Sequence, residues 1–174
     1  MDAGGYDSIL PMRNFCNLCM LLMLVAAATC QTPSTPAERA RLAAIDHKLE
    51  TNPLDTNLRS DREWAIKWLI GVPDITVSIC PSILGDYHKY KYSAEITAQL
   101  MLGGATFQIE NPDKAPDKDA QLFAQAESAL KAYKAILQQE PKSKTKSLDE
   151  VLEIQEQGNL KQFVLDAAKK SCHQ

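Results

Sequence analysis

The amino-acid sequence predicts an all-α fold: a compact bundle or short array of five to six helices that follows an N-terminal export signal. Two observations lead to this fold class. Apolar residues recur at helical spacing in several segments, and proline, glycine or asparagine residues bound each segment. Only residues 74–86 alternate like a strand, and no second strand is available to pair with them. We therefore expect a short helix or an irregular buried segment there.

The first two predicted helices begin at capping boxes, in which a hydroxyl side chain and an acid three residues later satisfy free backbone amides. The first helix begins after Thr35, with proline at its first position, and ends at Asn52, because another proline follows. The second begins at Ser60, in a capping box over residues 60–63, and ends at Gly71.

The two long helices in the middle of the chain are predicted to pack closely. One begins at Ser93, and the other is capped by Asp117 and extends to Glu140. Gly103 and Gly104 lie within the first of them, although each glycine lowers helix propensity by about 1 kcal/mol relative to alanine. Close approach of another helix is the usual compensation, so we expect one to contact this pair.

Two shorter helices complete the predicted domain. One begins at Ser147 in a third capping box, and Gly158 separates it from a last helix between Leu160 and about Lys170. The basic segment 142–146 connects the long helix to this pair. We interpret it as a solvated linker, with contact to an anionic partner as the alternative.

The two long helices resemble one tetratricopeptide repeat over about residues 96–141. Leu102 and Gly103 resemble the signature of that repeat's first helix. The spacing of its second helix is found at Ala129, Tyr133, Ile136 and Pro141. The resemblance implies a helical hairpin with a concave side that binds peptides.

The N-terminal residues 1–30 are predicted to be a secretory signal peptide. Arg13 supplies the positive charge, and the apolar run at 18–28 has the length of a signal rather than of a membrane span. Met12 is a more natural start than Met1, because two acids lie between them. The alternative is a buried core helix at the N-terminus.

Processing of this signal defines the predicted domain organisation and location. We expect cleavage after Cys30, with cleavage after Ala28 as the alternative, which leaves a linker at 31–36 and one helical domain at 37–174. The mature protein would then be periplasmic or secreted, without a membrane span. Lipidation of Cys30, which ends the apolar run, is the second interpretation.

The cysteines predict one disulfide bond. Cys16 and Cys19 lie in the signal, so cleavage after Cys30 leaves Cys80 and Cys172 as a pair in an oxidising compartment. A bond between them would tie the last helix to the middle of the domain. The alternative is two unpaired buried thiols.

The most unusual segment lies at 87–92, where three tyrosines alternate with a histidine and two lysines. Aromatic faces beside cations could bind an anionic or sugar-like ligand, whereas the alternative is tyrosines that pack on the core with the lysines in water. Two tryptophans one helical turn apart are core anchors or a second stacking surface. The candidate ligand-binding residues are Tyr87, His88, Tyr90, Tyr92, Trp64 and Trp68.

No spacing typical of catalysis or metal binding is recognised. The possible metal ligands are three histidines and two acids: His47, His88, His173, Asp46 and Asp86. None has a known ligand spacing, so no metal or other cofactor is assigned. The possible general acids or bases are Asp61, Glu63 and Glu95. Their places in first helical turns favour capping instead.

Three functions are compatible with this sequence. The one we favour is a non-catalytic interaction module for a protein or peptide, which an exposed apolar groove beside Gly103 and Gly104 would support. The second is a small-ligand-binding protein that uses residues 87–92. The third is a hydrolase or metalloenzyme, which requires acids and a histidine to converge in one cleft with shifted pKa values. A net charge of −3 gives no general attraction to nucleic acid, so no such partner is expected.

Overall fold

A computed structural model describes Met1 and residues 32–172. The signal peptide, its cleavage site, the first three cysteines and His173 lie outside the described residues, so the interpretations that concern them stay predictions.

Six α-helices and no strand are found in the described part of the chain, which confirms the predicted all-α fold. They are α1 (Pro36–Thr51), α2 (Arg59–Gly71), α3 (Ser93–Glu110), α4 (Lys118–Gln139), α5 (Lys146–Glu156) and α6 (Leu160–Ser171). Short 3-10 turns lie at Thr56–Leu58, Pro81–Leu84 and Pro112–Lys114. None of the described helices is both long enough and apolar enough to cross a membrane.

Two of the predicted helix caps are confirmed. The Thr35 hydroxyl accepts a hydrogen bond from the backbone amide of Glu38 at 3.2 Å, and the Glu38 carboxylate accepts one from the Thr35 amide at 2.8 Å. Asp117 caps α4, because its carboxylate accepts a hydrogen bond from the Ala120 amide at 3.0 Å. These caps form from residues close in sequence, which is why the sequence predicts them.

The other two predicted capping boxes are wrong. Ser60 is the second residue of α2, which follows directly from a 3-10 turn that Asp55 caps with a 2.8 Å hydrogen bond from Asn57. Ser147 lies inside α5, and its hydroxyl donates instead to the backbone carbonyl of Asp86 at 2.8 Å. In both places a neighbouring element, rather than the local pattern, decides where the helix begins.

The core consists of two apolar clusters, and α3 contributes residues to both. One cluster joins α3 and α4 to α5, α6 and the Pro81–Leu84 turn, and the other joins α1 and α2 to α3. The close approach predicted at the glycines is confirmed: a Cβ atom on Gly103 would lie 2.4 Å from the Cβ of Ser128 on α4. A Cβ on Gly104 would lie 2.8 Å from Val77. These glycines therefore allow α3 to contact its neighbours directly.

The predicted cysteine pair is also confirmed. Cys80 and Cys172 lie at disulfide distance, with their Cα atoms 6.0 Å apart. The bond joins the start of the Pro81–Leu84 turn to the residue that follows α6.

Candidate functional site

The tyrosines of the 87–92 segment are largely core residues. Tyr87 is only 1% exposed, and its hydroxyl lies 3.2 Å from that of Thr97. Tyr90 packs edge-on against Tyr92 and against Tyr133, with ring centroids 5.7 Å apart in each pair. The exposed imidazole of His88 stacks on Tyr87. The segment thus has the core-packing arrangement, with its polar residues in water.

The two tryptophans belong to a different part of the domain. Trp64 and Trp68 are half-buried and stack with ring centroids 5.9 Å apart, and the guanidinium of Arg41 lies 3.9 Å from the centroid of Trp64. They pack on the α1–α2 cluster, whereas the tyrosines pack on the other one. The structure does not bring the two candidate groups together.

A polar cleft lies instead between α1, α3 and α4. Its volume is about 110 Å³, which is room for several water molecules. The acidic residues that line it are Asp46, Glu50, Glu110 and Glu127. We call this feature the acidic cleft.

Asp46 forms the buried base of the acidic cleft. It is 1% exposed, and Gln99 donates hydrogen bonds to its Oδ1 at 2.5 Å and to its backbone carbonyl at 3.2 Å. Gln99 also donates to Ser128 at 3.0 Å, so one amide links α1, α3 and α4. Burial raises the pKa of Asp46 to about 7, and the nearby Glu50 carboxylate also raises it. Asp46 therefore exchanges its proton near neutral pH.

His47 and Glu50 form the mouth of the acidic cleft. The Nε2 atom of His47 lies 2.9 Å from Glu110 Oε1, and its Nδ1 atom lies 3.4 Å from Glu50 Oε2. The hydrogen bond to Glu110 raises the pKa of His47, although partial burial opposes the shift. The ammonium group of Lys131 lies 3.0 and 3.1 Å from the two carboxylate oxygens of Glu50. The ammonium group of Lys131 therefore balances the negative charge of the Glu50 carboxylate.

Thr106 is the unsatisfied residue in the cleft wall. It is 4% exposed, and its hydroxyl lies beside the Asp46 carboxyl without a hydrogen-bond partner of acceptable geometry among the described residues. Burial also raises the pKa of Glu127. The cleft thus contains more carboxyl groups than cations and one free hydroxyl at its base.

Asp46, His47 and Glu50 have the geometry of a cation site. One ligand atom from each lies within 4.8 Å of the other two. Ligands on opposite sides of a divalent cation lie about 4.2–4.8 Å apart when each bond is about 2.1–2.4 Å long. One imidazole nitrogen and two carboxylate oxygens can therefore reach a single ion, with open positions toward the water-sized space beside them.

Asp46 and His47 are among the possible metal ligands predicted from the sequence, but their cluster with Glu50 was not predicted. Asp46 and Glu50 lie one helical turn apart on α1 and flank His47. Both acids are buried, and this is the signal that could have been found: two acids at core positions of an amphipathic helix. The wall residues Thr106 and Ser128 come from distant parts of the chain and carry no local signal.

The other acids with predicted capping roles lie elsewhere. Asp61 and Glu95 occupy the first turns of α2 and α3. Asp61 pairs with Arg41 at 3.4 Å, and Glu95 pairs with Arg62 at 3.7 Å. Glu63 is exposed on α2. None of them lines the acidic cleft.

Comparisons with protein-family models, with curated proteins and with solved structures found no match to this chain.

Proposed function

We propose that this chain is an exported, non-catalytic helical domain that binds a divalent cation in its acidic cleft. The observation that carries the proposal is the convergence of Asp46, His47 and Glu50, whose ligand atoms all lie within 4.8 Å of one another. Acids and a histidine with shifted pKa values thus share one cleft, as the metalloenzyme hypothesis requires. We propose only that the cleft binds the ion, and we assign no reaction to it.

The chemistry of the side chains favours a transition-metal ion such as Zn²⁺. Imidazole is a good ligand for zinc and a poor one for calcium or magnesium, while carboxylates bind all three. The Thr106 hydroxyl and Ser128 beside Asp46 can orient that carboxylate or hold a metal-bound water. A cation would also relieve the repulsion between Asp46 and Glu50.

Lys131 provides an internal competitor for the cation. Its side chain is 57% exposed, so it can leave Glu50 and enter water when a metal ion arrives. Its ammonium group neutralises the Glu50 carboxylate when no metal ion is bound, and it competes with a metal ion for the same two oxygens. Removing it should therefore tighten metal binding, which no purely structural role of the cluster would predict.

Calorimetric titration of the chelator-treated full chain with Zn²⁺ tests the proposal. We expect one high-affinity site, a loss of affinity of at least about tenfold in His47→Ala and Asp46→Asn, and tighter binding in Lys131→Met. His88→Ala is the matched control, because this exposed histidine lies outside the cleft. Absence of binding, or equal affinity of His47→Ala and the control, would refute the proposal.

The interaction-module hypothesis stays a prediction. An exposed apolar groove beside Gly103 and Gly104 would have supported this hypothesis, but α4 and Val77 cover the surface at these glycines. The acidic cleft lies next to the same contact and has the chemistry to bind a ligand, so we prefer it as the site.

A further inference from the structure

We propose a second binding site, an oxyanion pocket formed where residues 86–91 meet residues 142–145. Two basic segments that are 50 residues apart in sequence line this pocket together, and its volume is about 370 Å³. It shares no residue with the acidic cleft. The two sites can therefore be tested independently.

The backbone of the pocket is fixed before any ligand binds. Ser147 donates a hydrogen bond to the carbonyl of Asp86 at 2.8 Å, and this ties the first segment to the start of α5. Gly85 precedes that contact with φ +73°, and a Cβ there would lie 3.2 Å from the Cβ of Ser147. Both the backbone conformation and the close approach therefore favour glycine.

Tyr133 fixes the second segment in the same way. Its hydroxyl accepts a hydrogen bond from the backbone amide of Thr145 at 3.0 Å and donates one to Asp149 at 2.7 Å. Tyr90 packs edge-on against the Tyr133 ring, so one aromatic pair supports both segments. Fixed segments lower the entropic cost of placing charged side chains around a ligand.

Tyr90 also supplies an unused hydrogen-bond donor. The residue is 9% exposed, and its hydroxyl has no partner of acceptable geometry in the described part of the chain. The hydroxyl of the neighbouring Ser143 donates instead to the Glu140 carbonyl at 2.7 Å. A buried hydroxyl without a partner costs about 1–3 kcal/mol. The Tyr90 hydroxyl has almost no accessible surface, so a ligand oxygen in the pocket could satisfy it once the adjoining Ser143 side chain moves aside.

The pocket concentrates positive charge, of which the Lys91 ammonium group is partly offset because it lies 4.6 Å from the centroid of the Tyr92 ring. Its four lysines are all exposed, and within the described residues none of their ammonium groups forms a salt bridge: Lys89, Lys91, Lys142 and Lys144. Asp86 is the one acid that lines this pocket. This local excess of positive charge contrasts with the chain as a whole, whose net charge is −3.

These features fit an oxyanion such as phosphate or a phosphate monoester. Ammonium groups and hydroxyl donors are the groups that bind phosphate oxygens, and charge-assisted hydrogen bonds are about twice as strong as neutral ones. The pocket volume accommodates a phosphate with a small organic group attached. A phospholipid headgroup offers the same chemistry, so the experiment has to separate the two sources.

Titration of the isotope-labelled full chain with inorganic phosphate, followed by amide chemical shifts at constant ionic strength, tests this site. We expect saturable shifts at residues 86–91 and 142–145. Lys142→Gln/Lys144→Gln should weaken binding by about tenfold, and Tyr90→Phe, which removes only the hydroxyl, by about threefold. The control Lys67→Gln/Lys118→Gln removes two exposed lysines elsewhere and should leave binding unchanged.

Three results would overturn the proposal. The first is the absence of saturable shifts, and the second is an equal loss in the control, which would indicate general attraction to charge. The third is an unchanged affinity in Tyr90→Phe with an unchanged amide spectrum. Vesicles of phosphatidylcholine and phosphatidylserine form a separate arm: bound protein that inorganic phosphate releases supports the pocket, and bound protein that phosphate does not release contradicts it.

Discussion

Substitution of Gly103 by alanine adds one methyl group at the contact between α3 and α4. The new Cβ would lie 2.4 Å from the Cβ and 2.9 Å from the Oγ of Ser128, and 3.3 Å from the carbonyl oxygen of Ala124. A Cβ atom cannot rotate away as the end of a flexible side chain can. The two helices therefore have to separate, or α3 has to shift along α4.

Two opposing terms set the size of the effect. Alanine in a helix is more favourable than glycine by about 1 kcal/mol, whereas overpacking of a well-packed contact costs about 1–3 kcal/mol. A contact this short places the cost at the upper end, so we expect a net loss of about 2 kcal/mol in the free energy of unfolding. At about 3 °C per kcal/mol for a domain of this size, the melting temperature should fall by about 6 °C.

Thermal and urea unfolding of Gly103→Ala measure this loss, and the chain offers a matched control. A Cβ on Gly71, at the end of α2, would meet nothing within 4 Å, so Gly71→Ala should be neutral or slightly stabilising. A melting temperature of Gly103→Ala at or above that of the unmodified chain would refute the packing argument. Zn²⁺ affinity should fall in the same variant, because Ser128 and Thr106 move relative to Asp46.

Two further predictions concern the ends of the domain. The Cys80–Cys172 bond spans 92 residues and should contribute about 4–5 kcal/mol by restricting the unfolded chain, so Cys80→Ser should lower the melting temperature by more than about 10 °C; an unchanged curve would contradict this role. Hydrogen bonds from Ser34 and the guanidinium of Arg39 lower the pKa of Asp74 to about 2. A lowered pKa stabilises the fold above about pH 4, the range of a free carboxyl, and the contribution disappears as the pH falls through about 2. The difference in melting temperature between Asp74→Asn and the unmodified chain should therefore vanish in strong acid, and a constant difference would contradict this assignment.

The parts of the fold that the sequence predicts are those determined by residues close together along the chain. Proline at the start of α1, Asp117 before α4 and Gly158 before α6 each mark a boundary that the structure confirms. Ser60 and Ser147 have the same local pattern as Thr35, yet neither is a cap. At Ser60, a 3-10 turn runs directly into α2, so the helix begins before this residue. At Ser147, the hydroxyl donates its hydrogen bond to the backbone carbonyl of Asp86. At Ser147 a tertiary partner therefore overrides the local pattern through a competing hydrogen bond, whereas at Ser60 the adjacent 3-10 turn moves the start of the helix.

The candidate sites could not be predicted for a similar reason. Asp46 and Ser128 are 82 residues apart, and the oxyanion pocket joins two segments that the sequence had identified separately. Each segment alone is compatible with a solvated loop. Only the positions of α4 and α5 decide that the lysines of both segments face one pocket.

The arrangement of the acidic cleft is difficult to explain by stability alone. Gly103 lowers the helix propensity of α3, and the close contact that it permits places polar Gln99 and Ser128 against Asp46 at the centre of the domain. Apolar side chains of similar size would pack there without the cost of burying a carboxyl group. A cation bound between these carboxyl groups would offset this cost by mass action in proportion to its affinity. The Zn²⁺ titration therefore also tests stability: if the proposal is correct, the metal raises the melting temperature of the unmodified chain, and the same metal concentration raises that of His47→Ala by clearly less.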